Sequence, residues 1–489
     1  MVPHADFKHR PQLMSGVLPM HAYFRLSVAF VFCLTFIGCG KDSDPPARYT
    51  GPSKSLPKGS IAAGAAAVSL EAEEADAVLL EVTQGYEKGK LGDHTAAIRH
   101  FTEAIRLKPE TPSGYAGRAQ VLFIKGEYRA AIDDYTHALR KGLIRADMFL
   151  GRGNARMADK QFALAIRDFS EALVLDPKYA LAYNNRGAAR CELMDFEAAL
   201  EDYTDATRLD SQMVLAYQGR AKALFRLGRH AAALENIDKA IRLDPADSNT
   251  HHYRGMICED CGDHAAAIKD FSEAIRLDPT SAVTFYSRGN SFMSQREIEA
   301  ALKDYTLAVQ LDSKMSIAFR ERGMALFQFG DNAAALESLA EAVRLDPTDA
   351  RTYHVRGGMH QGDDAAAIKD FTEAIRLNPS YAIAFHSRGR VFFATGDYSA
   401  AIADLSEVIR LGPPSAVVYS DRGAVWSTTR EYDRAINDYT EAIRLDPKDV
   451  DTVNQLAWLL ATCPDEKVRD GKKAVEFARQ HVNSPNGKS

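Results

Sequence analysis

The nine residues FSEAIRLDP, 271–279, decide the fold, because close copies return along the chain: FTEAIRLKP at 101–109, FSEALVLDP at 169–177, FTEAIRLNP at 371–379 and YTEAIRLDP at 439–447. The prolines closing these and related segments are Pro109, Pro177, Pro245, Pro279, Pro347, Pro379, Pro413 and Pro447, spaced by 68, 68, 34, 68, 32, 34 and 34 residues. All but one gap is a multiple of 34. A fixed period between roughly 20 and 50 residues marks a stacked repeat array. Such arrays grow by adding units instead of enlarging one core, so a chain of 489 residues need not divide into several globular domains.

Counting in steps of 34 from Val78 gives eleven repeats over 78–449, with one of 32 residues at 350–381. Position 8 is small: Gly85, Ala119, Gly153, Gly187, Ala221, Gly255, Gly289, Gly323, Gly357, Gly389 and Gly423. Ala recurs at position 20, as Ala97, Ala131, Ala165, Ala199 and Ala267, and a large apolar or aromatic residue at position 24, as Phe101, Tyr135, Phe169, Tyr203 and Phe271. Two short helices approach closely only where side chains are small, so position 8 is expected to face position 20, with the bulky residue filling the gap a turn away. Proline at position 32 stops the second helix. In the opening stretch Phe271, Ala274, Ile275 and Leu277 are expected to point inward, with Glu273 and Arg276 paired in solvent at i, i+3. The two residues lost near Gly358–Gln361 are expected to shorten one first helix.

These residues at this period resemble the tetratricopeptide repeat family. The resemblance implies an all-α fold, a right-handed superhelical α-solenoid of about 11 to 12 stacked helix-turn-helix repeats. Two departures from the family pattern recur together. Position 7 is Arg in ten repeats, from Arg118 through Arg186 and Arg254 to Arg422, and position 23 is mostly Asp, including Asp134, Asp202, Asp270 and Asp438. One reading is a row of cations for an acidic ligand; the other, which explains why both recur, is an Arg–Asp clasp across each helix pair. The segment NQLAWLLATCPDEKVRDGKKAVEFARQ, 454–480, resembles terminal segments of tetratricopeptide proteins from planctomycete bacteria. Residues 450–489 therefore read as a divergent, incomplete terminal repeat and tail.

The N-terminus is different in kind. LSVAFVFCLTFIG, 26–38, follows Lys8, Arg10 and Arg25 and has the length of a secretory apolar segment, too short for a comfortable membrane span. It ends at Gly38–Cys39 and turns polar at once, which resembles a bacterial lipobox, although Phe36 stands where Leu is usual. That resemblance implies a signal sequence over 1–39, a lipid on Cys39 and an envelope protein anchored in a membrane; an uncleaved signal anchor is the alternative. A start at Met20 gives a conventional leader. Residues 40–60, rich in Pro, Gly, Ser and Lys, read as a flexible tether, and 61–77 as a helical lead-in.

Little else in the chain proposes chemistry. The net charge is −6 with Lys and Arg spread along the sequence, so no basic face for nucleic acid is expected. No spacing suggests a phosphate loop or a nucleophile–base constellation, and neither an enzyme, a cofactor nor a small-molecule substrate is expected. Cys258 and Cys261 form a C-x-x-C pair near His251, His252 and His264, which a metal or redox site could use, but position 11 normally faces the core and no metal is expected. In the family, positions 2, 5, 9, 12 and 13 of the first helix face a partner. Here positions 5 and 9 vary while the packing positions do not. Asn184, Lys222, His252, Tyr286, Asn290 and Arg320 are therefore the candidate groove residues for a protein or peptide ligand. The resemblance implies a non-enzymatic interaction scaffold of the cell envelope, with an assembly factor for a secretion or pilus machine, or a regulatory subunit of another enzyme, as alternatives.

Overall fold

The computed structural model describes residues 61–482; the expected signal sequence, Cys39 and the tether lie outside them. The described residues form 24 α-helices and no strand. The fold is an all-α solenoid built from consecutive antiparallel helix pairs. It divides into two compact units, one ending at Leu243 and one beginning at Asp244. The first contains five helix pairs, from Ile61–Lys90 with His94–Leu107 to Val214–Arg226 with His230–Leu243. The second contains seven, from Ser248–Asp260 with His264–Leu277 to Val450–Thr462 with Gly471–Val482. The lead-in is continuous with the first helix of the first repeat, as one helix of 30 residues.

The opening stretch shows why each pair forms. The helix His264–Leu277 starts at Asp263, whose carboxylate accepts a hydrogen bond from the Ala266 amide at 3.0 Å and so satisfies one orphan donor of the first turn. The preceding residue, Gly262, turns the chain at φ 80°, a conformation that costs glycine nothing. Phe271 and Ala274 are buried, Ile275 and Leu277 are half-buried, and Arg276 meets Glu273 at 2.6 Å on the surface. Asp278, extended at φ −135° and ψ 93°, precedes Pro279, which forbids the helical conformation before it and ends the helix.

The packing rule differs in one detail from the expectation. The small residue at position 8 lies beneath the ring at position 24 as well as beside position 20. A Cβ built on Gly153 would come within 2.5 Å of the Phe169 ring, and one on Gly255 within 2.7 Å of Phe271. The next repeat closes the other side of the ring, since a Cβ on Gly151 would stand 2.6 Å from Tyr135. Phe101 and Tyr203 are thus each held between glycines of two first helices, Gly85 and Gly117 for one and Gly187 and Gly219 for the other, which makes these glycines requirements of close packing.

The Arg–Asp clasp is present. Eight arginines, at 118, 152, 186, 254, 288, 356, 388 and 422, meet the aspartates at position 23 at 2.6 to 2.8 Å. Those aspartate side chains are only 2 to 9% exposed, so the clasps are buried on the acidic side. Most of these arginines do more. Arg186 donates from Nη1 to Ser170 of the preceding second helix at 3.1 Å and stands 5.4 Å above the Tyr183 ring. Arg118, Arg152, Arg288, Arg388 and Arg422 repeat this with Thr102, Thr136, Ser272, Thr372 and Ser406. One guanidinium therefore ties three helices, across a repeat boundary, by charge-assisted bonds and a cation–π contact. The 32-residue repeat keeps its clasp, Arg356 to Asp370, over 14 residues instead of 16, and its first helix, Ala350–Met359, is cut to ten residues.

Candidate partner-binding face

Consecutive first helices are joined by polar bonds, made mostly from position 5 to position 3 or 6 of the next first helix or to its N-cap. In the first unit Asn185 donates to Asn154 at 2.8 Å, and Asn184 donates to Asn185 at 3.0 Å. In the second unit His252 pairs with Thr284 at 3.2 Å, Arg320 with Asp349 at 2.6 Å, His354 with Ser387 at 3.1 Å, and His386 with Asp421 at 2.7 Å. Position 5 is thus largely a stapling position between repeats.

Half of the expected groove set is buried in this arrangement. Asn184, His252 and Arg320 stand at the expected register but are 7, 5 and 7% exposed; His252 and Arg320 bond toward the following first helix, and Asn184 bonds Asn185 beside it. Arg320 holds two carboxylates, Glu321 at 2.9 Å and Asp349 at 2.6 Å. Lys222, Tyr286 and Asn290 are half-buried and keep part of their surface accessible. The Tyr286 ring packs 6.1 Å from Tyr305, whose hydroxyl donates to Asn290 Oδ1 at 2.8 Å. Burial, helped by the charge of Glu321, pushes the Tyr286 phenol up to about 12, so it is a neutral donor at every physiological pH.

Glu259, at position 12 of the first helix of the second unit, was not singled out by its sequence. Burial raises its carboxyl to about 7, with the Ser291 hydroxyl opposing and Asp260 reinforcing the shift. His354, also on this face, is pushed down to about 4 by burial and stays neutral. These groups tune polarity, and no arrangement among them pairs a nucleophile with a base. Cys258 is buried, with its thiol raised to about 11 chiefly by burial, and Cys261 is exposed. Among the described residues no group of three or more His, Cys, Asp or Glu side chains could hold a metal ion, and no helix is long and apolar enough to cross a membrane.

Profiles described as tetratricopeptide repeat match residues 82–142, 189–248, 219–282, 286–350 and 359–416, with further repeat profiles at 153–193 and 419–449. The chain belongs to the tetratricopeptide repeat family. Comparison with curated proteins gives no match. Among solved structures, this repeat chain is similar to one from the APC/C hetero-tetramer Cut9–Hcn1, at 17% identity over 76% of this chain and 94% of that one, with a TM-score of 0.41. It is similar to a tetratricopeptide repeat protein from Parabacteroides merdae, at 20% identity over 50% and 98% of the two chains, TM-score 0.41. Yeast Tom70 is 17% identical over 84% and 98%, TM-score 0.37.

Proposed function

We propose that this tetratricopeptide repeat chain is a non-enzymatic protein–protein interaction scaffold of the cell envelope that holds a peptide or protein against its first-helix face. One observation carries the reading: the framework positions are constant and buried, whereas the reachable positions of the first helices change from repeat to repeat. Glycine, alanine, ring, arginine and aspartate recur to keep one geometry, while Lys222, Tyr286 and Asn290 differ and stay partly accessible. Tyr286 offers a large rigid ring with a polar tip, the kind of side chain that anchors interfaces. Anchorage would come from a lipid on Cys39, with mass spectrometry of the mature N-terminal peptide as its check; an unmodified terminus would refute it.

The function is tested by capture from native envelope extract with the chain as bait. Proteins retained by the wild type should be lost with Tyr286→Ala plus Asn290→Ala, and kept with Glu273→Ala, which alters only a surface pair on a second helix. Equal retention by all three baits would refute recognition through this face.

A further inference from the structure

The chain breaks its own period once, and the break falls on the first-helix face. The helix Ala350–Met359 is three residues shorter than the 13-residue first helices, a loss of about 4.5 Å of helix. Side chains that other repeats carry at positions 12 and 13 are missing there. His360, just past the helix end, turns away to Asp370 at 3.0 Å and joins the Arg356 clasp. Gly358, at position 9, is exposed, and a Cβ built on it would meet nothing within 4 Å. The shortened helix leaves a notch.

Beyond the notch the same face becomes apolar. Ile383 and Val417, both at position 2, are 58 and 49% exposed, and Trp458, at position 9 of the terminal pair, is 72% exposed. Val283 and Ile317, at position 2 of the two repeats immediately before the notch, are half-buried instead. Single exposed apolar residues are ordinary on any surface, but Ile383 and Val417 hold the same register position in successive repeats and Trp458 follows on the next first helix, so the three form a row. Within that row Arg390, at position 9, is 64% exposed. Its nearest carboxylate, Asp421, lies 4.0 Å from Nε and is held more closely by His386 at 2.7 Å, which leaves most of the guanidinium open to solvent.

We infer that the first-helix face from Gly358 to Trp458 binds a protein segment carrying large apolar side chains with a carboxylate among them, one apolar side chain occupying the notch over Gly358. Apolar side chains desolvate Ile383, Val417 and Trp458, and the carboxylate pairs with Arg390, which fixes register and rejects basic segments. Asp363, at the rim of the short loop, is occupied in capping the following helix through the Ala366 amide and repels additional acidic groups. One carboxylate is thus favoured over an acidic run. This inference rests on the scaffold reading and adds the chemistry of the partner.

The probe is a phage-displayed library of random dodecamers selected on the full chain, with selected peptides titrated by fluorescence polarisation against variants. Gly358→Trp fills the notch, and it enters open space at an ordinary helical backbone, so the variant keeps its fold. Arg390→Glu reverses the exposed charge. Selected peptides should share an apolar–acidic consensus, and each variant should weaken them at least about tenfold, equivalent to roughly 1.4 kcal/mol. Glu273→Ala should leave them unchanged. A different consensus, or unchanged affinity in either variant, overturns the inference. Peptides that respond to Tyr286→Ala but to neither variant overturn the notch and keep the scaffold reading. Failure to select any peptide, or indifference to all three substitutions, overturns both.

Discussion

The repeat from Val214 lacks the carboxylate of the clasp, and restoring it should stabilise the protein. Position 23 there is Asn236, and the Nε of Arg220 is buried with no hydrogen-bond partner. Eight other repeats show what the socket accommodates: an aspartate 2 to 9% exposed with its oxygens 2.6 to 2.8 Å from the guanidinium. Removing one partner of a buried pair costs about 3–5 kcal/mol, mostly because a charge is left uncompensated. The half-buried Arg220 has only its Nε in that state, so Asn236→Asp recovers part of this cost, against the desolvation of a new carboxylate. It also gives up the hydrogen bond from Asn236 Nδ2 to the Ala232 carbonyl, worth about 1 kcal/mol. A net gain of about 1–2 kcal/mol remains. Repeat arrays unfold in sections, so the assay is native-state hydrogen exchange over Val214–Arg226 and His230–Leu243, where protection should rise about 5- to 30-fold. In an Arg220→Met background the same substitution should give no gain. Protection that stays level or falls in the arginine background would refute the clasp as a stabilising device.

Position 15 of the 34-residue repeats takes a positive φ, and four of them fill it with a side chain instead of glycine: Lys160, Met194, Arg296 and Arg430. Met194→Gly should raise local stability by about 0.5–1 kcal/mol, because the left-handed conformation costs a side chain about 1–2 kcal/mol and glycine loses part of that advantage to entropy; exchange at Phe196–Leu209 reads it. Arg320→Ala should destabilise the repeat from Ser316 by about 3 kcal/mol in urea unfolding, since Asp349 and Glu321 lose their common cation. Glu259 titrates near 7 in the folded chain against an ordinary 4.5, so its favourable contribution is complete below pH 4.5 and is lost as pH rises through about 7. Relative to Glu259→Gln, the wild type should therefore lose about 3 kcal/mol between pH 4.5 and pH 8, as followed by urea unfolding of the two proteins.

The period, the two-helix unit and its boundaries were legible because proline, glycine and ring positions recur at fixed spacing. The clasp was legible for the same reason: Arg and Asp recur together, and a pair 16 residues apart reaches across one helical hairpin. The Ser or Thr that completes it belongs to the preceding repeat, and its position was not distinguished from an ordinary polar surface residue. The candidate face was legible as a register but not as a surface. Register places Asn184, His252 and Arg320 correctly on the first helices, yet their burial depends on neighbours the register does not name, such as Thr284 of the next repeat for His252 and Asp349, the cap of the following first helix, for Arg320. A variable position looks the same in sequence whether it varies to meet a ligand or to meet a varying neighbour. The notch followed from a visible two-residue loss, whereas the open space over Gly358 depends on the packing around it.

The most direct test of the account places a photo-crosslinking amino acid at Tyr286 on the first-helix face and, separately, at Glu273 on a second helix, in cells making the full chain. Recognition through the first-helix face predicts discrete crosslinked protein species from position 286 and none from position 273. Crosslinks from 273 without any from 286 would contradict the account and assign recognition to the second helices.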